Sequence, residues 1–271
     1  MSGHSKWAKI KRAKGISDQK RGAVFTKLAT AVTTAAREGG GDPALNFVLR
    51  LAIDKSKAAN MPKDNIQKAI EKGTGAAKDA VVFNNISYEG FLQGDIGFII
   101  DCLTDNTNRT YAEIKKAVEG CGAILGAQNS VAWQFSEKGK ITMYSAKIEK
   151  STKFGGASKL VRVDDKDNIM MSLLDIKGVE DVEERELEFV SNDELTGDST
   201  YPGFDITTTK VDLHSVFKEI ESMGYKIESA GVVKVCSNPI EIDDAKGEKL
   251  QNLLDALDEH DDVQNVWHNV K

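Results

Sequence analysis

The spacing of apolar residues changes between Gly75 and Val81, from a helical period to a strand-like one, and this switch divides the chain into two kinds of structure. Before it, Ser17 is a predicted N-cap, and Phe25, Leu28, Val32 and Ala35 recur on one helical face until the glycine run 39–41 stops it. Asp42-Pro43 predicts a capped second helix, with proline at its first position and Leu45, Val48, Leu49 and Ala52 inward. Asn60-Met61-Pro62 repeats the device. A short third helix carries Ile66, Ala69 and Ile70, and Gly73-Thr74-Gly75 ends it. Three helices with short connections make a small bundle.

After the switch, residues 95–103 (DIGFIIDCL) are nearly continuously apolar, as a strand covered on both faces would be. Residues 104–109 cap a helix with Tyr111, Ile114, Val118 and Cys121 inward, and residues 130–135 (SVAWQF) are expected to return as a strand. Related units follow: strand 205–209, helix 211–223 and strand 225–235, then helix 247–257 and strand 263–270. Short alternating units of this kind predict an α+β chain with two ferredoxin-like layers. Residues 145–168, lysine-rich and then acidic, are expected to form an inserted, flexible loop.

Charge separates along the same line. Residues 2–27 hold Lys6, Lys9, Lys11, Arg12, Lys14, Lys20, Arg21 and Lys27 against the single carboxylate Asp18, in a chain of formal net charge −6. Through residue 80 there are 16 lysines and arginines against 7 carboxylates; the remaining 20 face 35. One end attracts phosphate and the other repels it. The lysines suit phosphate contacts, Arg12 a bidentate contact, and Trp7 stacks on an unpaired base, wedges into a groove, or anchors the segment on its own bundle. Lys6, Trp7, Lys9, Lys11, Arg12, Lys14, Lys20, Arg21 and Lys27 are therefore the candidate nucleic-acid-binding residues.

Nothing comparable points to chemistry. Cys102, Cys121 and Cys236 are odd in number and far apart, which argues against a disulfide framework and for a reducing compartment, here read as the cytoplasm. The histidines His4, His214, His260 and His268 show no metal-ligand spacing. His260 with Glu259, Asp261 and Asp262 is a place for a divalent ion, but a solvated helix end explains it more cheaply. The loop GTGAAKD lacks the ending of a phosphate-cradling loop. The expectation is a non-enzyme with no catalytic residue, metal, cofactor or small-molecule substrate. No apolar run of membrane-spanning length occurs in the sequence. The acidic run 180–188 is read as a solvated strand face, with recruitment of a basic protein partner to the acidic α+β domains as the alternative.

The blocks GHSKWAKIKRAK, QKRGAVFTKL, AAREGGGDP, NMPKDNIQKAIEKGTG, YEG, TDNTNRTYAEIKKA, SVAWQF and DDVQNVWHN, in this order, resemble the YebC/PmpR family, which includes the mitochondrial translational activator of cytochrome c oxidase. The resemblance covers nearly the whole chain. It implies an N-terminal three-helix domain followed by two ferredoxin-like α+β domains, one inserted into the other. The limits expected are 1–80 for the basic helical domain, 81–135 plus 238–271 for the central domain, and 136–237 for the inserted one, with its flexible loop at 145–168. The sequence departs from the family pattern at residues 90–94 (GFLQG), at Asn129 where a glycine is usual, and in the 145–168 insertion.

Members of the family are described as DNA-binding transcriptional regulators, and others as factors acting on translating ribosomes, including at proline-rich stalls. The resemblance thus implies a nucleic-acid partner, with DNA first and ribosomal RNA as the alternative. The sequence shows no defensible helix-turn-helix, since its first two helices meet at a triple glycine without an obvious face of Asn, Gln and Arg.

Overall fold

In the computed structural model, residues 18–75, 83–149, 159–163, 165–188 and 200–271 are described. The chain divides into two compact units, 1–136 with 235–271, and 137–234.

The first unit begins with helix α1 (Asp18–Gly39), α2 (Phe47–Ala58) and α3 (Lys63–Gly73). Leu28, Val32, Ala35, Ala36, Leu49, Ile53, Ile66 and Ala69 form their shared core, as the helical spacing predicted for most of them. The start of α2 differs from expectation. Asp42 closes a turn, its side chain accepting from Ala44 N at 2.9 Å and its carbonyl from Leu45 N and Asn46 N, and the helix begins only after Asn46. This delay rotates the face: Leu49 is buried, but Leu45 and Val48 are exposed. Asn60 likewise acts as a stop rather than a cap, closing α2 at φ 59° before Pro62 precedes α3.

The central layer is a sheet of β1 (Asn84–Leu92), β2 (Ile96–Thr104), β3 (Ala123–Leu125) and β9 (Val263–His268), ordered β3-β1-β2-β9 with every pair antiparallel. Helices α4 (Thr107–Gly120) and α7 (Asp244–Asp258) pack on one face through Ile114, Val118, Leu250, Leu253 and Leu257. β2 is buried along almost its whole length, as its unbroken apolar run required. Its outer neighbour β9 arrives about 160 residues later in the chain. Three expectations fail locally. Tyr111 is half exposed instead of inward, and Cys121 is only partly covered. Residues 132–134 make a short 3-10 turn, so the returning strand is β3, earlier in the chain.

The second unit is a five-stranded sheet of β4 (Phe135–Glu149), β5 (Lys159–Arg162), β6 (Val179–Glu188), β7 (Thr200–Thr209) and β8 (Tyr225–Cys236), with α5 (Lys166–Leu174) and α6 (Leu213–Ser222). Ile141, Met143, Phe204 and Ile206 are buried on one face; alternation puts Tyr144, Ala146, Leu187 and Tyr201 in a smaller cluster on the other. The expected loop 145–168 is largely ordered where it is described: it contains the end of β4, β5, and the start of α5 capped by Asp165. Residues 150–158 and 164 lie outside the described residues. The acidic run 180–188 falls within edge strand β6.

Candidate nucleic-acid interface

Lys6, Trp7, Lys9, Lys11, Arg12 and Lys14 lie outside the described residues. Lys20 and Arg21 are on the first turn of α1, and their side chains are likewise outside. Lys27 has a different place: its Nζ donates to the carbonyl oxygen of Asp258 at 2.5 Å and stands 4.0 Å from that residue's carboxylate, with only 13% of its side chain exposed. It therefore sits at the C-terminal end of α7, where a cation is favoured by the helix dipole. It is not displayed for a phosphate.

The three-helix bundle is held by a few close contacts. Asn46 Nδ2 donates to Ala35 O at 2.7 Å and to Gly40 O at 2.8 Å, while its Oδ1 accepts from Leu49 N, so one side chain ties the end of α1 to the start of α2. Thr33 Oγ1 donates to Ala69 O at 3.1 Å. At Gly73 a Cβ would lie 2.3 Å from Thr33 O, so the end of α3 rests directly on the backbone of α1. On the outside of α3, Asn65, Lys68 and Lys72 share a helical face and are exposed.

In the central layer two polar clasps were missed from the sequence. Glu89 is nearly buried and its carboxylate accepts from Asn129 N at 2.7 Å, Val131 N at 2.6 Å and Ala132 N at 2.7 Å. It organises the turn in which Asn129 adopts φ 65°, the left-handed conformation that explains why a glycine is usual there. The second clasp gathers Glu113, His260 and Asp262, whose ligand atoms lie within 4.8 Å of one another. His260 Nδ1 accepts from Asp262 N at 3.2 Å, leaving Nε2–H to donate to Glu113 at 3.0 Å. Asp262 accepts from Thr110 Oγ1 at 2.6 Å and Arg109 at 3.1 Å, and Arg109 also reaches Asp105. Burial pushes the Asp262 carboxyl up, but Thr110 and Arg109 outweigh it and hold the group below the usual carboxylate range. With a guanidinium already on Asp262, internal pairing accounts for the cluster without an ion. Asp262 was visible in the sequence; Glu113, 147 positions from His260, had no local signal.

The buried thiol of Cys102 is pushed up to about 12, first by burial and then by Asp262 and Asp101, which keeps it protonated and unreactive. Among the described residues no helix is long and apolar enough to cross a membrane.

A three-helix bundle followed by an antiparallel α+β layer, itself interrupted by a second α+β layer, defines the class of protein: an α+β chain whose last strand joins a sheet begun before the insertion. The family model described as the TACO1/YebC protein N-terminal domain matches residues 5–76, and that described as the TACO1/YebC second and third domain matches residues 83–270. The chain belongs to this family, the YebC/PmpR family whose motifs it carries. A protein of a Nitratiruptor species named "Probable transcriptional regulatory protein" is 40% identical over the full length of both chains. One of Chlorobaculum tepidum with the same designation is 41% identical, covering all of this chain and 95% of the relative. A crystal structure of a conserved hypothetical protein from Aquifex aeolicus superposes with a TM-score of 0.74 at 30% identity, over 98% of this chain and 97% of the other.

Proposed function

We propose that this protein is a nucleic-acid-binding regulator, acting on transcription through DNA, and that residues 2–21 with the outer face of α3 form its interface. The observation that carries the proposal is the concentration of Lys6, Lys9, Lys11, Arg12, Lys14, Lys20 and Arg21 before and on the first turn of α1, in a chain whose remainder is acidic. Neutralised phosphates release counterions, and the acidic remainder disfavours indiscriminate adhesion. The exposed Asn65 on α3, followed on the same face by Lys68 and Lys72, adds the side-chain type that pairs with adenine in a major groove. The names of the relatives agree with a role in transcription.

The same lysines suit ribosomal RNA, which a translation factor of this family would bind through backbone and shape. Crosslinking the protein to nucleic acid in intact cells and sequencing what is recovered separates the two. Discrete promoter DNA is the expected result; recovery of ribosomal RNA alone would overturn the transcriptional reading.

A further inference from the structure

We infer that the cavity beside the open edge of β1 holds one unpaired nucleobase, stacked on Tyr111 and paired by the backbone of Ser87 and the side chain of Gln128. The inference deepens the nucleic-acid reading proposed above and rests on it. β3 pairs with β1 at Gly90, Phe91 and Leu92 only. Gly126 N then donates to Glu89 O at 2.8 Å, after which the chain leaves the edge. Glu89 thus aims its carbonyl at the β3 side, and the alternation of a strand aims the backbone N–H and C=O groups of Ser87 and Asn85 the same way. Among the described residues no strand meets them there.

A cavity of about 260 Å³ lies along this edge, with Ser87, Tyr88, Tyr111, Leu125 and Gln128 among its lining residues. Pockets that enclose a drug-sized ligand run to roughly 300–1,000 Å³, so this one suits a single ring system and not a run of residues. Tyr88 is fixed, its hydroxyl donating to Thr107 O at 3.3 Å. Its ring lies 5.8 Å from that of Tyr111 between centroids, tilted at 49°, and so props the second ring from one side. Tyr111 is 47% exposed, which leaves ring surface for a ligand. Gln128 is exposed as well and brings an amide donor group and an acceptor to the same space.

The groups around the cavity that remain to bind a ligand are uncharged. The Glu89 carboxylate already accepts from three backbone N–H groups, those of Asn129, Val131 and Ala132. Asp101, opposite Ser87 in register, accepts from Ser87 Oγ and from Trp267 Nε1, each at 2.6 Å. Neither carboxylate is left for a cationic side chain. What remains is a ring surface bordered by neutral donors and acceptors. A hydrocarbon ring would strip water from those groups and pair with none of them. A nucleobase stacks by its face and pairs by its rim, the combination by which unpaired bases are recognised. Lys115, one turn along α4 from Tyr111, supplies a cation for the adjoining phosphate; its contact with Glu119, 3.8 Å long and half exposed on both sides, holds it weakly.

The test titrates the full-length protein with single-stranded oligothymidylate and oligouridylate of about ten nucleotides, each carrying one 5-iodouracil, and with duplex DNA, at several salt concentrations. Photocrosslinking of the single strands should then label Tyr111 or Tyr88, and whichever oligomer does so identifies DNA or RNA as the source of the base. Tyr111→Ala should weaken single-strand binding by about fivefold or more, the loss of one stacked base, with an unchanged salt slope because no phosphate contact is lost. Tyr111→Phe, which keeps the ring, should restore it. Gln128→Ala, at an exposed position, should weaken binding as well, and circular dichroism verifies that each variant is folded. Equal binding by folded Tyr111→Ala and Gln128→Ala, crosslinks confined to other segments, or failure of both single strands to bind a protein that still binds duplex DNA would each overturn the inference. Failure of duplex and single strands alike would overturn the nucleic-acid reading and this inference with it.

Discussion

Lys27 Nζ and the carbonyl oxygen of Asp258 are joined by a hydrogen bond across 231 positions of sequence, linking the first described helix to the end of the last one. The lysine that composition assigned to a polyanion is engaged within the fold. Lys27→Met should lower stability by about 1.5–3 kcal/mol, the range for a hydrogen bond to a charged group, and leave nucleic-acid affinity within about twofold of the parent. Thermal unfolding and a binding titration on the same variant check both halves.

Lys9→Glu combined with Lys11→Glu should abolish nucleic-acid binding with an unchanged melting temperature, the outcome expected of lysines that serve phosphate contacts and not packing. If about six phosphates are engaged, log affinity for duplex DNA should fall against log salt with a slope of about −5. A flat salt response would remove the electrostatic basis of the proposal.

Gly73→Ala should loosen the helical bundle by about 1–3 kcal/mol, the usual cost of overpacking, since the added methyl meets Thr33 O at 2.3 Å and Ala36 Cβ at 2.7 Å. Gly75→Ala is the contrast: nothing lies near its Cβ, and only the conformational strain of φ +83° is felt. Hydrogen exchange should show increased opening of α1 and α3 in the first variant and not in the second.

Stability of the second unit should fall in acid. Burial pushes the Asp205 carboxyl up, but Lys140 at 2.9 Å, Thr142 at 2.7 Å and Arg185 at 3.1 Å outweigh it and hold the group below the ordinary carboxylate range. A group depressed on folding contributes stability that is complete above its unfolded value, near pH ~3.9, and is lost as pH falls through the folded value. Asp205→Asn should cost about 3–5 kcal/mol at neutral pH by leaving Lys140 buried beside a neutral group, and should flatten the decline below pH ~4. Denaturant midpoints between neutral and acidic pH test this.

His268 gives the first unit its own dependence. Burial lowers its pKa, only partly offset by a backbone hydrogen bond with Val270. The neutral ring is the folded form, so its stabilisation is complete above about pH 6.5 and is lost as pH falls through the lower folded value. An imidazole titration by NMR should find His268 below the ordinary histidine range.

Much of the fold was legible because it rests on local periodicity. The stripe Leu28, Val32, Ala35 and the continuous run of β2 each encode how many sides are buried, and burial follows. What escaped depends on partners distant in sequence. Asp42-Pro43 carries the chemistry of a helix start, yet Asn46 captures that role because its amide also reaches Ala35 and Gly40, which no local pattern reveals. Residues 130–135 have strand composition, but three backbone N–H groups between Asn129 and Ala132 bond to the Glu89 carboxylate instead of a neighbouring strand. The basic segment itself was plain from charge alone, while the slot beside Tyr111 exists only because β3 stops pairing at Gly90.

The pairing of β9 with β2 also sets a timetable during synthesis. At about 5–20 residues per second, β2 is complete roughly 8–30 s before β9 exists, and the nascent central sheet waits with its β2 edge open while residues 137–234 emerge. The inserted unit contains its own strands and helices and is free to fold first. Completion of the host layer therefore waits until the whole insertion has been made, and a chain truncated before Val263 would carry a finished insertion inside an unfinished sheet.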